Sequence, residues 1–398
     1  MRLTVLSSVV LIGAAFAQSA PDPTADALAQ FQDLTAEAQA AQDDLLSSTA
    51  TTSSKRANTC TKDKLLVRKP WGSLSNLERK AYTDAVLCFQ KLPAKTPTGL
   101  VPGVRSRYDD FLATHINQTL NIHYTGTFLA WHRWFTWTYE QALRNECGYT
   151  GAQPYWNWAL YAKDPASSPI FDGSDYSMSG NGEYIAGKGP ITLLLGDYAP
   201  VVLPPGTGGG CVTTGPFKNY TINLGPVSMP LNNGSVIGGG PGTGLAYNPR
   251  CMKRDISAAI NTAFANATSV VKLLTRNTIA DFQLVMQGVP GSGNIGVHGG
   301  GHYTIGGDPA GDVFSSPGDP AFYLHHGMID LTWWVWQMLD FTHRRNQISG
   351  TQTFLNQPPS PDVTLDDTID LSYAGGGPIT MRELMSVNDG PFCYTYSL

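Results

Sequence analysis

Apolar residues recur at helical spacing in the first half of the chain. A capping-box pattern runs from Ser75 to Glu78. With apolar residues at roughly helical spacing, it predicts a first helix that ends before Pro93; these residues are Leu77, Tyr82, Val86 and Phe89. The pattern predicts a second helix over about 104–116, followed by a turn. A long amphipathic helix is predicted from Phe128 to Glu146, with Phe128, His132 and Thr136 on one face.

The periodicity fails between Asp164 and Pro249, where glycine and proline are dense. We interpret this stretch as long ordered loops over one domain; an interdomain linker is the alternative. Helical patterns resume over 254–266, 278–287 and 319–339, and a capping box at Thr380 opens a short final helix. The pattern therefore predicts several helices on either side of long Gly/Pro-rich loops.

The N-terminus has the pattern of a secretory signal peptide over residues 1–17, with one positive charge, a short apolar run and an Ala-Phe-Ala cleavage pattern. Residues 18–56 end in Lys55-Arg56 and are interpreted as a propeptide removed at this dibasic site; the alternative is a weakly helical arm that stays attached. Residues 57–398 are then one secreted, extracellular domain. No later apolar stretch approaches the roughly 20 residues of a membrane span.

Charge and cysteine usage agree with that interpretation. The formal net charge is −5, and it is closer to zero without the acidic residues 18–56, which argues against nucleic-acid or anionic-membrane partners. Six cysteines suit an oxidising compartment. Fifteen pairings are possible, and the favoured one is Cys60–Cys393, Cys88–Cys147 and Cys211–Cys251. Sequons at Asn117, Asn219, Asn233 and Asn266 permit glycosylation, with Asn117 facing outward.

Six of the eight histidines fall into two groups of three: His115, His123 and His132, and His298, His302 and His326. Neutral imidazole is the commonest metal ligand in proteins and suits copper, zinc and iron. Two metals, each with three imidazoles, would keep an open coordination position. One alternative is that these are ordinary core or surface histidines. A second is an H-G-G-G oxyanion hole, which requires a G-x-S-x-G nucleophile elbow, and the chain has none. A third is a zinc protease site, which requires H-E-x-x-H, and the chain lacks that motif too.

Two longer motifs surround these histidines. The first is His123-x4-Phe128-Leu129-x-Trp131-His132-Arg133-x2-Thr136-x3-Glu140, and the second is Asp319-Pro320-x-Phe322-Tyr323-x2-His326-x3-Asp330. They resemble the copper-A and copper-B motifs of the type-3 copper proteins: tyrosinases, catechol oxidases and hemocyanins. The resemblance extends from about Ser75 to the C-terminus and is greatest to short secreted fungal polyphenol oxidases. It places the third copper-B ligand on His326, which leaves His325 as a packing or supporting residue.

The resemblance implies a mainly α fold with little β structure, long Gly/Pro-rich loops and a four-helix-bundle core that holds two copper ions, with O2 as co-substrate. The expected reaction is oxidation of small phenols, o-diphenols readily and monophenols slowly, to o-quinones as O2 is reduced to water, with o-aminophenols as further candidates. A monomer or weak dimer is expected. The alternatives are an oxygen carrier of hemocyanin type, which would need a shielding domain, and a dizinc hydrolase.

Three residues are candidates for positioning substrate and water. Relatives that hydroxylate monophenols often have a glutamate before copper B and an asparagine after its first histidine; the matching positions here are Gln283 and Gly299. Tyr303 is expected to stack on the substrate ring, or else to pack as an ordinary aromatic. In many fungal relatives a cysteine is joined to the second copper-A histidine. That position is Asn121, so His123 is predicted to be uncrosslinked.

Overall fold

The computed structural model describes residues 23–51, 60–238 and 243–398. The predicted signal peptide and the Lys55-Arg56 site lie outside these ranges. The helices are α1 (Pro23–Thr51), α2 (Asn76–Phe89), α3 (Arg107–Ile122), α4 (Phe128–Cys147), α5 (Ala258–Phe264), α6 (Ala267–Leu274), α7 (Ile279–Gln287), α8 (Gly296–Ile305), α9 (Ala321–Met338) and α10 (Phe341–Arg344). Among the described residues no helix is both long and apolar enough to cross a membrane.

Two pairs of helices form the centre of the molecule, in agreement with the expected mainly α fold. Helix α3 packs on α4, α8 packs on α9, and α4 packs on α9 to join the pairs. The core between them is strongly aromatic: the rings of Tyr139 on α4 and Tyr323 on α9 are stacked, and both side chains are fully buried. The fold is therefore the predicted helical core, and its two halves meet along α4 and α9.

Helix ends follow local capping, which explains where the structure differs from the sequence-based boundaries. Helix α2 begins at the predicted capping box of Ser75. Helix α3 was predicted over 104–116; it begins instead after a capping box between Ser106 and Asp109 and runs to Ile122. The helix predicted over 254–266 is shorter, Ala258–Phe264, and a separate helix that was not predicted, α6, follows it; the side chain of Asn266 caps α6 by accepting the backbone N–H of Ser269 (2.9 Å). The final capping box at Thr380 opens a single 3₁₀ turn, Met381–Leu384.

Within the described ranges, the β structure is limited to short two-stranded sheets. The strands are β1 (Leu66–Arg68), β2 (Gly182–Tyr184), β3 (Ile191–Leu193), β4 (Val201–Leu203), β5 (Gly209–Val212), β6 (Thr221–Ile222), β7 (Ser228–Pro230), β8 (Val236–Gly238), β9 (Arg250–Cys251), β10 (Thr368–Ile369), β11 (Ile379–Thr380) and β12 (Tyr394–Tyr396). The pairs are β1–β12, β2–β5, β3–β4, β6–β9, β7–β8 and β10–β11, of which only β1–β12 is parallel.

The Gly/Pro-rich region packs onto the same core as the helices. Phe171, Phe217 and Leu224 from this region are buried in one hydrophobic cluster with the residues of α3, α4 and α9. The three disulfides are Cys60–Cys393, Cys88–Cys147 and Cys211–Cys251, as predicted. The first joins the chain ahead of β1 to the residue before β12, so the two ends of residues 60–398 are held together.

Candidate metal centre

The first histidine triad is presented by α3, its C-terminal cap and α4. His115 lies within α3, His123 is the extended cap residue that ends it, and His132 lies one turn into α4. All three are buried, and the candidate ligand atoms of the triad lie within 4.8 Å of one another. The longer α3 thus brings together three residues that span 18 positions of sequence, while the exposed Asn117 faces outward as predicted.

Backbone carbonyl groups fix the tautomers of this triad. The Nδ1 atoms of His115, His123 and His132 lie 2.7, 2.9 and 2.7 Å from the carbonyl oxygens of Phe314, Thr119 and Phe128. A carbonyl oxygen can only accept, so each Nδ1 carries the proton and each Nε2 carries the lone pair. The Nε2 atoms of His115 and His132 are buried without a hydrogen-bond partner. Unpartnered buried acceptors are costly, and a bound cation would satisfy them.

The second triad is formed by α8 and α9. His298 and His302 lie one turn apart on α8, and His326 lies on α9. The Nε2 atom of His302 is 3.1 Å from that of His298 and 3.3 Å from that of His326. A metal–nitrogen distance of about 2.0 Å at tetrahedral angles separates neighbouring ligand nitrogens by roughly 3.3 Å. The donor atoms therefore have the spacing of ligands to one ion.

The two triads face each other across a narrow space. The rings of His132 and His326 are stacked with centroids 4.5 Å apart, and those of His123 and His298 are 5.6 Å apart. Phe322 stacks on His326 at 4.0 Å, and Phe128 lies against His132 at 4.9 Å. The six imidazoles are enclosed by aromatic rings, and the described part of the chain adds no carboxylate to these donor clusters. Such a donor set suits copper better than magnesium or calcium.

Burial keeps these histidines neutral. It lowers the pKa of His123 to about 4, and the pKa of each of the other five ligand candidates lies well below the ordinary value, with burial as the main cause and neighbouring histidines adding to it. Neutral imidazole is the form that binds a metal.

His325 adjoins the second triad, but both of its ring nitrogens already have hydrogen-bond partners. The Nε1–H of Trp158 donates to its Nδ1 (3.1 Å), and its own Nε2 lies 3.0 Å from the carbonyl oxygen of His298. The two contacts are compatible only if Nε2 carries the proton and donates to that carbonyl. Burial lowers the pKa of His325 to about 3, so the ring stays neutral. Both ring nitrogens of His325 are therefore engaged in hydrogen bonds, and its Nε2–H supports the backbone of the candidate ligand His298.

The glycines between His298 and His302 have different roles. A Cβ at Gly301 would lie 2.2 Å from the ring of His325, and one at Gly300 would lie 2.8 Å from Cβ of Phe264. Both are therefore places where α8 packs too closely for a side chain. Only Gly299 lines the open cavity above the histidines, so the space over the second metal position comes from one glycine and not from all three.

That cavity has a volume of about 140 Å³ and reaches both triads at His123, His298 and His302. Gly299 and Tyr303 line it, as predicted. Gln283 is placed elsewhere: its amide donates to the carbonyl oxygen of Ser349 (2.8 Å), beside a separate small cavity.

Gln287, one turn after Gln283 on α7, lines the cavity. Its Oε1 accepts the backbone N–H of Tyr124 (2.7 Å), and its carbonyl oxygen accepts the hydroxyl of Tyr124 (2.5 Å). Tyr124 directly follows the ligand candidate His123 and has a φ of +50°, a strained conformation for a non-glycine residue that these contacts hold in place. The sequence did not predict the contact between Tyr124 and Gln287. The only sequence feature that pointed to it is that Tyr124 directly follows the ligand candidate His123.

A buried charged network lies behind the site. Asp330, one turn after His326, accepts from Arg133 (2.5 Å), Arg68 (3.1 Å) and the hydroxyl of Tyr394 (2.6 Å). Glu140 pairs with the same Arg68. Burial would raise the pKa of Asp330, but Arg133 and Arg68 outweigh it and hold the pKa below its ordinary value. Three motif residues that bind no metal therefore join α4 to α9.

Comparisons with known proteins agree with this site. The family model described as the common central domain of tyrosinase matches residues 105–339. Tyrosinase P of Aspergillus terreus is 44% identical over 332 residues, which cover 83% of this chain and 92% of that protein. The N-acetyl-6-hydroxytryptophan oxidase ivoB of Emericella nidulans is 39% identical over 350 residues, 85% of this chain and 93% of that protein.

Among solved structures, a mutant polyphenol oxidase from Thermothelomyces thermophila superimposes with a TM-score of 0.87 at 47% identity. The match covers 94% of this chain and 98% of that one. The chain is therefore an oxidoreductase of tyrosinase type, and it belongs to the tyrosinase family.

Proposed function

We propose that the protein is a dicopper polyphenol oxidase that converts o-diphenols to o-quinones while O2 is reduced to water, and that acts on monophenols more slowly. One observation carries the proposal: six buried, neutral imidazoles converge below a cavity that extends to the surface. The cavity wall includes Leu194 and Val289, whose side chains are exposed, so a small phenol has a route to the histidines.

The six histidines would hold the two ions. His115, His123 and His132 would bind one copper, and His298, His302 and His326 the other. The copper pair, when bound, supplies O2 binding and electron transfer. The rest of the chain holds the three imidazoles of the first triad in one tautomer and orientation through their Nδ1–H bonds, and it encloses all six imidazoles with aromatic rings.

The lining of the cavity favours diphenols over monophenols. Among the described residues no carboxylate lines it, and Gln287 ends in an amide that cannot accept a proton. Burial raises the pKa of the lining residues Tyr124 and Tyr303, so neither hydroxyl ionises near neutral pH. A phenol with a pKa near 10 needs a base to lose its proton at neutral pH. A catechol can bind through two oxygens and depends less on that help.

The walls also favour neutral, apolar phenols. Leu193, Leu194, Val201, Val289 and Ile295 line the cavity, and no charged side chain lines it among the described residues. A charged substituent would lose hydration there without gaining a partner. We infer that 4-alkylcatechols are better substrates than catechols with an ionic side chain, and that o-aminophenols of similar size are further candidates.

The test combines copper analysis with a matched substrate pair. Copper per chain is measured first, and kcat/KM is then compared for 4-tert-butylphenol and 4-tert-butylcatechol. We expect two copper ions per chain and a large preference for the catechol. Two zinc ions with hydrolase activity, or equal turnover of both substrates, would contradict the proposal. Reversible O2 binding without quinone formation would instead indicate an oxygen carrier; the cavity that reaches the surface argues against one.

Variants separate the two glutamines. Gln287→Glu keeps an acceptor for the N–H of Tyr124 and places a carboxylate in the cavity wall, so combined with Gly299→Asn it should raise kcat/KM for the monophenol relative to the catechol. Gln283→Glu with Gly299→Asn is the matched control and should leave the ratio unchanged, because residue 283 lies outside the cavity. The opposite pattern would restore the role that the sequence assigned to Gln283.

We further propose that the protein is secreted and glycosylated, and that it acts as a monomer or weak dimer. The signal-peptide pattern and the three disulfides support secretion, and the sequons support glycosylation. N-terminal sequencing and deglycosylation of protein recovered from the culture medium test the first two points, and native mass tests the third.

A further inference from the structure

We propose that α1 is a permanent part of the catalytic domain: cleavage after Lys55-Arg56 nicks the chain, and the peptide that contains α1 then stays bound without a covalent link. A propeptide that leaves on cleavage was the interpretation of the sequence. The proposal concerns the fold and does not depend on the metal or the substrate.

Helix α1 buries one continuous stripe of side chains. The buried residues are Ala27, Phe31, Thr35, Ala38, Gln42 and Leu46, at successive intervals of four, four, three, four and four positions. This is the spacing of one face of a helix. Phe31, Thr35 and Ala38 are fully buried, and Phe31 and Ala38 belong to the main hydrophobic cluster of the protein. The helix is therefore embedded in the core and does not lie loosely on the surface.

The surface that receives α1 lies at the back of the second triad. Helix α1 packs against α6 and against α9, the helix that carries His326 and Asp330. Its N-terminal half contributes Ala27 to a second buried cluster with Ala159 and with Ala267 of α6. Removing α1 would uncover apolar surface on both helices.

Two glutamines of α1 bind the C-terminal strand. Gln39 donates to the carbonyl oxygen of Tyr396 (2.6 Å), and Gln42 donates to that of Tyr394 (3.0 Å) and to Oδ1 of Asn388 (2.6 Å). The hydroxyls of Tyr394 and Tyr396 both donate to Asp330. Loss of α1 would remove these bonds from the strand that positions this buried carboxylate, leaving β1 and the Cys60–Cys393 disulfide to hold it, and so it would weaken the support of α9.

The binding of α1 is non-covalent and owes little to charge. The first cysteine of the chain is Cys60, so no disulfide would tie residues 18–56 to the rest after cleavage. Helix α1 contains five acidic residues and no basic one, and its ion pair between Asp43 and Lys62 (3.5 Å) is exposed. Exposed pairs contribute little and are screened by salt. Retention therefore depends on apolar burial and on the two glutamines.

The solved polyphenol oxidase supports this role. The superposition with that structure covers 94% of this chain. Residues 57–398 alone would account for less than 94% of the 398 residues. The match must therefore include residues ahead of Ala57, so a segment corresponding to part of 23–51 is present in that structure.

The test uses the full chain with an engineered protease site between Arg56 and Ala57. After complete cleavage, size-exclusion chromatography in 0.5 M salt is followed by denaturing mass analysis of the eluted peak. We expect both fragments at a 1:1 ratio in one peak, and their separation only in denaturant. Elution of the small fragment on its own in salt, with an unchanged melting temperature for the large one, would overturn the proposal.

Matched variants show whether the buried stripe is responsible. Phe31→Asp should release the small fragment after cleavage, whereas Gln32→Asp, at the exposed neighbouring position, should leave it bound. If Phe31→Asp does not fold, Phe31→Ala in the uncut chain replaces it, and its melting temperature should fall by roughly 5 °C. Gln32→Ala should leave the melting temperature of the uncut chain within about 1 °C of the wild-type value. Equal behaviour at positions 31 and 32 would contradict the role of the stripe.

Discussion

Gly301→Ala should disturb the second histidine triad although residue 301 binds no metal. A Cβ at this position would lie 2.2 Å from Cε1 and 2.3 Å from Nδ1 of His325, whereas non-bonded carbon atoms pack at about 3.5–4.0 Å. The ring cannot turn away freely, because Trp158 and the carbonyl oxygen of His298 bind both of its nitrogens. Either the ring or α8 must therefore move by more than about 1 Å.

The size of the effect follows from opposing contributions. Replacing glycine by alanine within a helix stabilises it by up to about 1 kcal/mol. Overpacking a rigid core costs about 1–3 kcal/mol, and leaving a buried hydrogen-bonding group of His325 unsatisfied costs about 1–3 kcal/mol more. The expected loss in the free energy of unfolding is therefore about 1–5 kcal/mol, or roughly 1–6 °C in melting temperature for a chain of this length.

Gly299→Ala is the matched control on the same helix. Its Cβ would lie 3.0 Å from Cβ of Ile295, which requires a shift of only a few tenths of an ångström. Both variants gain the same helix propensity, so their difference isolates the contact with His325. The assays are calorimetric unfolding of the metal-free proteins and copper per chain after reconstitution. If metal-free Gly301→Ala melts at or above the wild-type temperature and still binds two coppers, His325 is not the rigid support inferred here.

Three further predictions concern single residues. His132→Ala should lose copper and oxidase activity, whereas His325→Ala should keep its copper; equal copper contents would contradict the ligand assignment. Asp330→Asn should lower the free energy of unfolding at pH 7 and make that free energy fall less steeply in acid. The reason is that a carboxylate with a lowered pKa contributes stability that is lost as pH falls through that pKa. Unfolding measured from pH 7 to pH 3 tests both effects. Asn121 should leave His123 without a covalent cross-link, and a peptide mass that shows one would contradict this.

The candidate metal ligands could be identified from the sequence because much of their spacing is local. His298 and His302 are one helical turn apart, and the motif around His132 spans a single helix, so pattern and chemistry fall within one element. The mainly α class was implied by the family resemblance, and the helical periodicity agrees with it. The disulfide pairing was chosen from fifteen possibilities because it joins the two ends, two helices and the Gly/Pro-rich region.

The positions of the glutamines could not be predicted, because they depend on the register of a helix against a distant loop. Gln283 and Gln287 lie one turn apart on α7, and both are largely buried. Only the tertiary contact of Gln287 with Tyr124, 163 residues away, determines which of them faces the histidines. Nothing in the local pattern distinguishes the two.

The role of α1 was hidden for a different reason. Its buried stripe is made largely of alanine, threonine and glutamine, which also occur on exposed helix faces, so the apolar pattern is weak. Glutamine is buried there because backbone carbonyls of the C-terminal strand accept its N–H groups. A buried polar residue of this kind can be identified only when its partner is known, and here that partner is more than 340 residues away.

The charged network explains why the family motifs include residues that bind no metal. Arg133 and Glu140 lie on α4 and Asp330 lies on α9, and Arg68 from β1 contacts both carboxylates. Breaking one member would leave an uncompensated buried charge, which is more costly than the pair is stabilising. The network therefore opposes sliding of α4 along α9, the movement that would separate His132 from His326. Carbonyl groups also fix the rings of the first triad, so the chain's own hydrogen bonds and ion pairs contribute to the arrangement of the candidate ligands.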